Sequence, residues 1–226
     1  MQQTWNDVLF AHWPLRPDYL RDFVPRELSL DLFDATAWIA VAPFHMTNVR
    51  PRWTPAVPWL SAFPELNVRT YVVHNGTPGV FFFSLDAGRL LAVWGARYLY
   101  FLAYFHAKMQ VGITGHDIAY TSRRLKMPAE FRAHYRPISA VRQRTKGSLE
   151  HFLTERYCLF AVNRSRVYRG DIHHVPWPLQ DAEAEIETNT MPQAAGIELP
   201  KTKPLLHFAK KLDVLIWPLK QVVSGW

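Results

Sequence analysis

The chain has 226 residues, enough for one large domain or two small ones that need neither a disulfide nor a metal to hold a core. Hydrophobic residues make up 49% and charged residues 20%, which excludes a disordered chain, and the single Cys158 excludes both an internal disulfide framework and an all-cysteine zinc site. The formal net charge of +7 favours anions as partners but says nothing of the fold.

In chain order, Met1 to Asp7 lacks the basic and apolar regions of a signal peptide. No later run reaches the roughly 18 apolar residues of a membrane span. Ala37 to Phe44 reads as a strand. The proline-rich stretch Val49 to Trp59 cannot be regular helix or central strand, because proline lacks an N–H and clashes with a preceding turn. It is expected to be an ordered loop packed over a pocket, with its tryptophans sheltered from water. Glu65 to His74 and Gly79 to Asp86 flank Asn75-Gly76 and predict a β-hairpin. Asp86 is placed to cap a helix reaching about Arg97, since Leu90, Leu91 and Trp94 recur at helical spacing.

The segment from Arg123 to Arg169 carries much of the basic excess and reads as a solvated face. It lacks the regular aromatic platform of single-strand nucleic-acid binders. Glu155-Arg156 reads as a structural ion pair. His173 and His174 are adjacent, so in a strand they point to opposite faces and do not form a metal pair. Leu205 to Leu219 reads as one or two strands broken by Pro218. Seventeen prolines, spread through the chain, favour many short elements. The expectation is one β-rich domain over residues 1–226, mostly antiparallel sheet with a few helices. No Gly-x-Gly-x-x-Gly, Walker loop or Gly-x-Ser-x-Gly elbow is present, so no nucleotide cofactor, metal or serine nucleophile is expected.

The Glu65 strand is the informative one. Side chains alternate along a strand, so Leu66, Val68, Thr70 and Val72 face one way and Glu65, Asn67, Arg69 and Tyr71 the other. The first row suits a core. The second combines a carboxyl, an amide, a guanidinium and a phenol, and it is either a solvated outer face or the wall of a pocket.

Several motifs together resemble the DUF2071 family of bacterial proteins. They are Phe10-Ala11-His12-Trp13-Pro14, Phe63 to Val72, Phe83-Ser84-Leu85-Asp86 and Gly95-Ala96-Arg97. Leu102 to Ala107, Phe152 to Tyr157 and His173 to Leu179 follow in the same order. The resemblance implies the fold of acetoacetate decarboxylase, a β-rich cone or barrel with an internal pocket. In that enzyme a Leu-Asp segment leads to Gly-Arg-Glu and to a Pro-Lys-Lys loop bearing the Schiff-base lysine. Here Leu85-Asp86 and Gly95-Ala96-Arg97 match the beginning, but Tyr98 replaces the glutamate and Ala103-Tyr104-Phe105 replaces Pro-Lys-Lys. The nearest amine, Lys108, shares a face with Tyr104 and His106 if that segment is extended, and reads as solvated.

The resemblance implies an enzyme of lyase, dehydratase or isomerase type acting on a small carbonyl or carboxylate compound without a Schiff base. Glu65, Arg69 and Tyr104 are then the catalytic candidates: acid or base, oxyanion or carboxylate anchor, and proton donor. His12, Asn67, Tyr71, Ser84 and Arg97 are the substrate-binding candidates. The alternative is a non-catalytic binder of an aromatic or acidic metabolite using the same pocket. A small-molecule ligand is the expected partner, with no nucleic acid and no membrane, in a cytoplasmic protein whose assembly, homo-oligomer or monomer, is left open.

Overall fold

The computed structural model describes residues 1–55, 57, 61–89 and 101–222. The segment predicted as a helix, with Leu90, Leu91, Trp94 and Arg97, lies outside the described residues, as do Ala56, Pro58 and Trp59 of the proline-rich stretch. The strands are β1 (Gln2–Leu15), β2 (Ser29–Leu30), β3 (Ala37–Arg50), β4 (Phe63–His74), β5 (Thr77–Ala87), β6 (Tyr104–Thr114) and β7 (Asp117–Arg124). They continue with β8 (Glu130–Pro137), β9 (Cys158–Asn163), β10 (Arg166–His173), β11 (Leu179–Asn189), β12 (Leu205–Ile216) and β13 (Lys220–Gln221). Among the described residues, two short helices, α1 (Pro17–Arg21) and α2 (Leu149–Thr154), and a single 3-10 turn complete the regular structure. None of the described helices is long and apolar enough to cross a membrane.

The pairings form two circuits that share β12, β1, β3, β4 and β5. One runs from β5 through β6, β7, β8 and β11 to β12; the other runs from β5 through β9 and β10 to β12. The shared sheet therefore has a packed element on each face. The first circuit is filled by side chains. Ile118 and Tyr120 from β7 and Phe131 and Tyr135 from β8 pack on Leu9, Ile39, Leu66, Val68 and Phe208. On the opposite face Phe44, Met46, Phe63, Val80, Leu159, Ile172 and Trp177 line an apolar space that remains partly open.

The predicted hairpin is β4–β5, antiparallel with His74 opposite Thr77. Both Asn75 and Gly76 have positive φ, at 49° and 72°, as the tight turn of a twisted ribbon requires. The row of Leu66, Val68, Thr70 and Val72 is buried, with Leu66 and Val68 in the filled circuit and Val72 in a smaller cluster beside it. Asp86 does not cap a helix: β5 runs through Ala87, and the Asp86 carboxylate instead accepts from Arg124 Nε at 2.6 Å. Both partners are buried, because β6 and β7 fold over the end of β5.

Most of the basic segment is exposed, as a solvated face would be, but part of its charge is compensated. Arg124 and Arg156 are buried in ion pairs, and Arg132, Arg136, Arg142 and Arg144 are matched by Glu130, Glu187, Asp117, Glu183 and Asp181. The expectation of sheltered tryptophans in the proline-rich loop fails at Trp53, which is 99% exposed. What the loop turns inward is Arg52, whose guanidinium lies 3.9 Å from the centre of the Trp217 ring.

Candidate functional site

The open space in the second circuit is a cavity of about 670 Å³. Strand β4 supplies its polar wall, since Glu65, Asn67 and Arg69 all line it while the intervening Leu66 and Val68 face the filled core. These three residues are only 4%, 5% and 7% exposed. A polar row buried to this degree is not a solvated outer face. The rest of the wall is largely apolar, with Trp5 and Trp177 stacked at 5.8 Å and Phe82, Leu159, Ile172 and Ile216 around them. Val49, Arg50, Pro51 and Arg52 of the proline-rich stretch also line it, in keeping with the expected cover over a pocket.

Glu65 and Tyr104 meet here from separate segments. Parallel pairing sets Tyr104 of β6 opposite Leu85 of β5, and Leu85 is opposite Asn67, so Tyr104 arrives beside the polar row. The Tyr104 hydroxyl donates to Glu65 Oε2 at 2.9 Å. Burial raises the Glu65 pKa from its usual value to about 8; the nearby negative Asp86 adds to the rise and the Tyr104 hydrogen bond opposes it. At neutral pH Glu65 is thus chiefly a neutral acid.

Arg69 lies four residues along the same strand. Its guanidinium is 5.3 Å from the Phe10 ring centre, and Nε has no hydrogen-bond partner. No carboxylate of the described residues lies within 4.0 Å of it, Glu65 included. Between them, Asn67 presents a buried Oδ1 that is likewise without a partner. The wall therefore carries an acid, an orphan acceptor and an uncompensated cation in series. Buried polar groups with open bonding capacity on a cavity wall can be satisfied by water or by the polar groups of a ligand.

Of the other candidates, His12 and Tyr71 lie behind the cavity wall rather than in it. The Tyr71 hydroxyl donates to the Leu153 carbonyl at 2.8 Å, and His12 Nε2 sits 2.8 Å from the same hydroxyl. Tyr71 has the expected facing, but α2 and Phe152 cover it. Burial and the nearby Arg69 hold His12 well below the usual histidine range, so it is a neutral support to Tyr71. Ser84 is also displaced. A bulge in β5 sets Ser84 opposite Val68 and Phe82 opposite Arg69, which turns Ser84 to the filled core and Phe82 to the cavity. Arg97 lies outside the described residues. Lys108 is exposed and does not line the cavity.

Sequence reasoning missed Arg156 and His174. Glu155 and Arg156 do not pair with each other: Arg156 Nη1 donates to Asp31 at 2.5 Å, while Glu155 accepts from the Trp177 backbone N–H at 2.9 Å. The second bond joins the Phe152–Tyr157 and His173–Leu179 motifs, and Thr154, Arg156, His174 and Trp177 all face the cavity. His173 is exposed and His174 buried, as alternation predicts. Burial lowers the His174 pKa although two backbone carbonyls favour its charged form. The signal was the clustering of chemistry-bearing residues in both motifs, but nothing local shows that they meet. Among the described residues, the cavity wall holds four arginines, one glutamate and no lysine. No group of three or more histidines, cysteines or acids among them is set to hold a metal.

Residues 2–213 match the DUF2071 family, described as an uncharacterized conserved protein. The chain is 54% identical over 222 residues to the uncharacterized protein YqjF of Bacillus subtilis (strain 168), covering 98% of this chain and 92% of that one. Among solved structures it is similar to the enduracididine biosynthesis enzyme MppR complexed with pyruvate. The TM-score is 0.68 at 10% identity, over 97% of this chain and 89% of that one. It is also similar to an acetoacetate decarboxylase-like enzyme from Sphingomonas wittichii RW1, with a TM-score of 0.66 at 13% identity over 99% and 94% of the two chains. Identities this low speak to the fold alone. The chain belongs to the DUF2071 family and has an acetoacetate decarboxylase-like fold.

Proposed function

We propose that the cavity binds a small-molecule carboxylate or carbonyl compound, and that Glu65 and Tyr104 move a proton next to its carbonyl in lyase, dehydratase or isomerase chemistry. The observation that carries this reading is Arg69, a buried guanidinium without a carboxylate partner among the described residues, on the same cavity wall as an acid whose pKa is raised to about 8. A guanidinium in such surroundings is suited to bidentate carboxylate binding. An acid titrating near neutral pH populates both of its protonation states, as proton transfer in both directions requires. As a carboxylate, Glu65 takes the proton from the carbon beside the carbonyl. The Tyr104 hydroxyl stabilises the charge that develops on oxygen, and Glu65 returns the proton to the same carbon or a neighbouring one. No lysine of the described residues reaches this wall, so the step does not pass through a Schiff base.

The test combines calorimetric titration of oxo acids whose carbonyl stands at successive positions from the carboxylate with NMR detection of deuterium exchange beside that carbonyl. Wild type is expected to bind and exchange. Arg69→Met is expected to lose at least about tenfold in affinity, the scale of one charge-assisted contact, and Glu65→Gln to bind without exchange. Binding without exchange in wild type would favour the alternative, a binder that does not turn its ligand over. Unchanged affinity in Arg69→Met would overturn the carboxylate anchor.

A further inference from the structure

We infer that the ligand is an elongated, apolar carboxylic acid of roughly ten carbons or an aryl equivalent, not a two- to four-carbon oxo acid. This rests on the reading of Arg69 as the carboxylate anchor and adds the dimension of the molecule it holds. Glu65 and Arg69 are four residues apart on one strand, which sets their Cα atoms about 13 Å apart. Their side chains lean apart: Arg69 is hydrogen-bonded to Tyr71, two residues further along the strand, while Glu65 is engaged by Tyr104, and the two form no ion pair. A four-carbon acid, about 5 Å long, anchored at Arg69 leaves the Glu65–Tyr104 pair out of reach. A chain of roughly ten carbons spans the distance.

The volume and the wall agree. A cavity of about 670 Å³ falls in the range that encloses a drug-sized molecule and far exceeds what a four-carbon acid fills. Of the lining, Trp5, Phe82, Leu159, Ile172 and Trp177 present a chain with mostly hydrocarbon, Asn67 stands midway along β4, and the remaining polar side chains, Arg156 and His174 among them, come from other segments. An acid held at Arg69 thus buries a methylene against hydrocarbon at each step towards Glu65, and places a mid-chain carbonyl or other polar group beside Asn67 or at the Tyr104 end.

The experiment is a calorimetric titration of straight-chain acids from acetate to dodecanoate, and of 1-octanol and 1-decanol, all below their micelle concentrations. Wild type, Arg69→Met, Ile172→Phe and Val80→Phe are compared, each checked for folding by circular dichroism. The expected result is a gain of about fourfold in affinity per methylene, equivalent to about 0.8 kcal/mol, levelling near eight to ten carbons. Arg69→Met should lower the affinity of every acid by a similar factor, and whichever of the two phenylalanine variants folds should shift the optimum to shorter acids. A series that is flat, or best at two to four carbons, with Arg69→Met still damaging, would overturn the elongated ligand and leave the anchor standing. Alcohols binding as tightly as acids, with Arg69→Met neutral, would overturn the anchor and this inference with it.

Discussion

Glu65 is a carboxyl closed off from water by its own strand neighbours, and its proton affinity follows from that position. Its native pKa of about 8 lies above the unfolded value, so folding favours the protonated form. Its contribution to stability is fully present below the unfolded pKa and is lost as pH rises through about 8. Buried neutral histidines such as His12 and His207 act in the opposite sense, so chemical denaturation at pH 5.5, 7 and 8.5 should show wild type losing stability relative to Glu65→Gln as pH rises. A difference between the two that stays constant over the three would mean that the Glu65 carboxyl keeps its ordinary pKa. At the same scale, incubation with a carbonyl compound and borohydride is expected to leave the protein's mass unchanged. A reduced adduct on Lys108 would contradict the present placement of that exposed side chain. Alternation along β4 was enough to read Glu65, Asn67 and Arg69 as one row, because a strand has a period of two. It could not tell that Tyr71, in the same row, is sealed by α2, since period gives direction and not depth. Ser84, a candidate through the family motif alone, faces the filled core because one extra residue in β5 reverses the facing beyond it.

The elements around the cavity depend on close approaches that sequence leaves invisible. In β1 the residue Asp7 has φ 50°, and beside it the facing changes, with Trp5 and Gln3 lining the cavity but Leu9 and Ala11 in the filled core. Strand β9 pairs in parallel with β5 at Val80 and Phe81, and a Cβ placed on neighbouring Gly79 would lie 2.8 Å from the Cys158 carbonyl oxygen. Gly79→Ala is accordingly expected to destabilise by about 1–3 kcal/mol through overpacking and to lower the melting temperature, whereas Gly115→Ser in an open turn should act only through its positive φ of 63°. Helix α2 is capped by Ser148, whose Oγ accepts from the His151 N–H at 3.3 Å. Ser148→Ala should cost about 1 kcal/mol in denaturant titration. The same change should weaken ligand binding, because α2 leads directly into Thr154 and Arg156 on the cavity wall. The hairpin was legible from Asn75-Gly76 because that pair has few conformational alternatives. The junction of α2 with the His174 segment was not, since its bonds join residues about twenty positions apart through a backbone N–H and a carboxylate.

The whole molecule divides its labour between its two strand circuits, one packed solid and one left open, across the sheet they share. Phe131→Ala, in the filled circuit, should cost about 3–5 kcal/mol as a large core truncation. Phe82→Ala, at the open cavity, should cost less than half of that because its ring is already partly uncovered. Equal costs in denaturant unfolding would show the cavity to be as closely packed as the core. A β-rich fold was readable from prolines and alternating rows, and the order of motifs carried the family. The pairing of β5 with both β6 and β9, which creates the second circuit, involves parallel contacts with no local signature. What the open circuit holds is the central question, and a crystal structure with a bound medium-chain oxo or saturated acid answers it directly. The predicted result is a carboxylate within hydrogen-bond distance of Arg69, an extended chain along Trp177 and Phe82, and no covalent link to the protein. A carboxylate bound away from Arg69, or a ligand attached to a lysine, would contradict it.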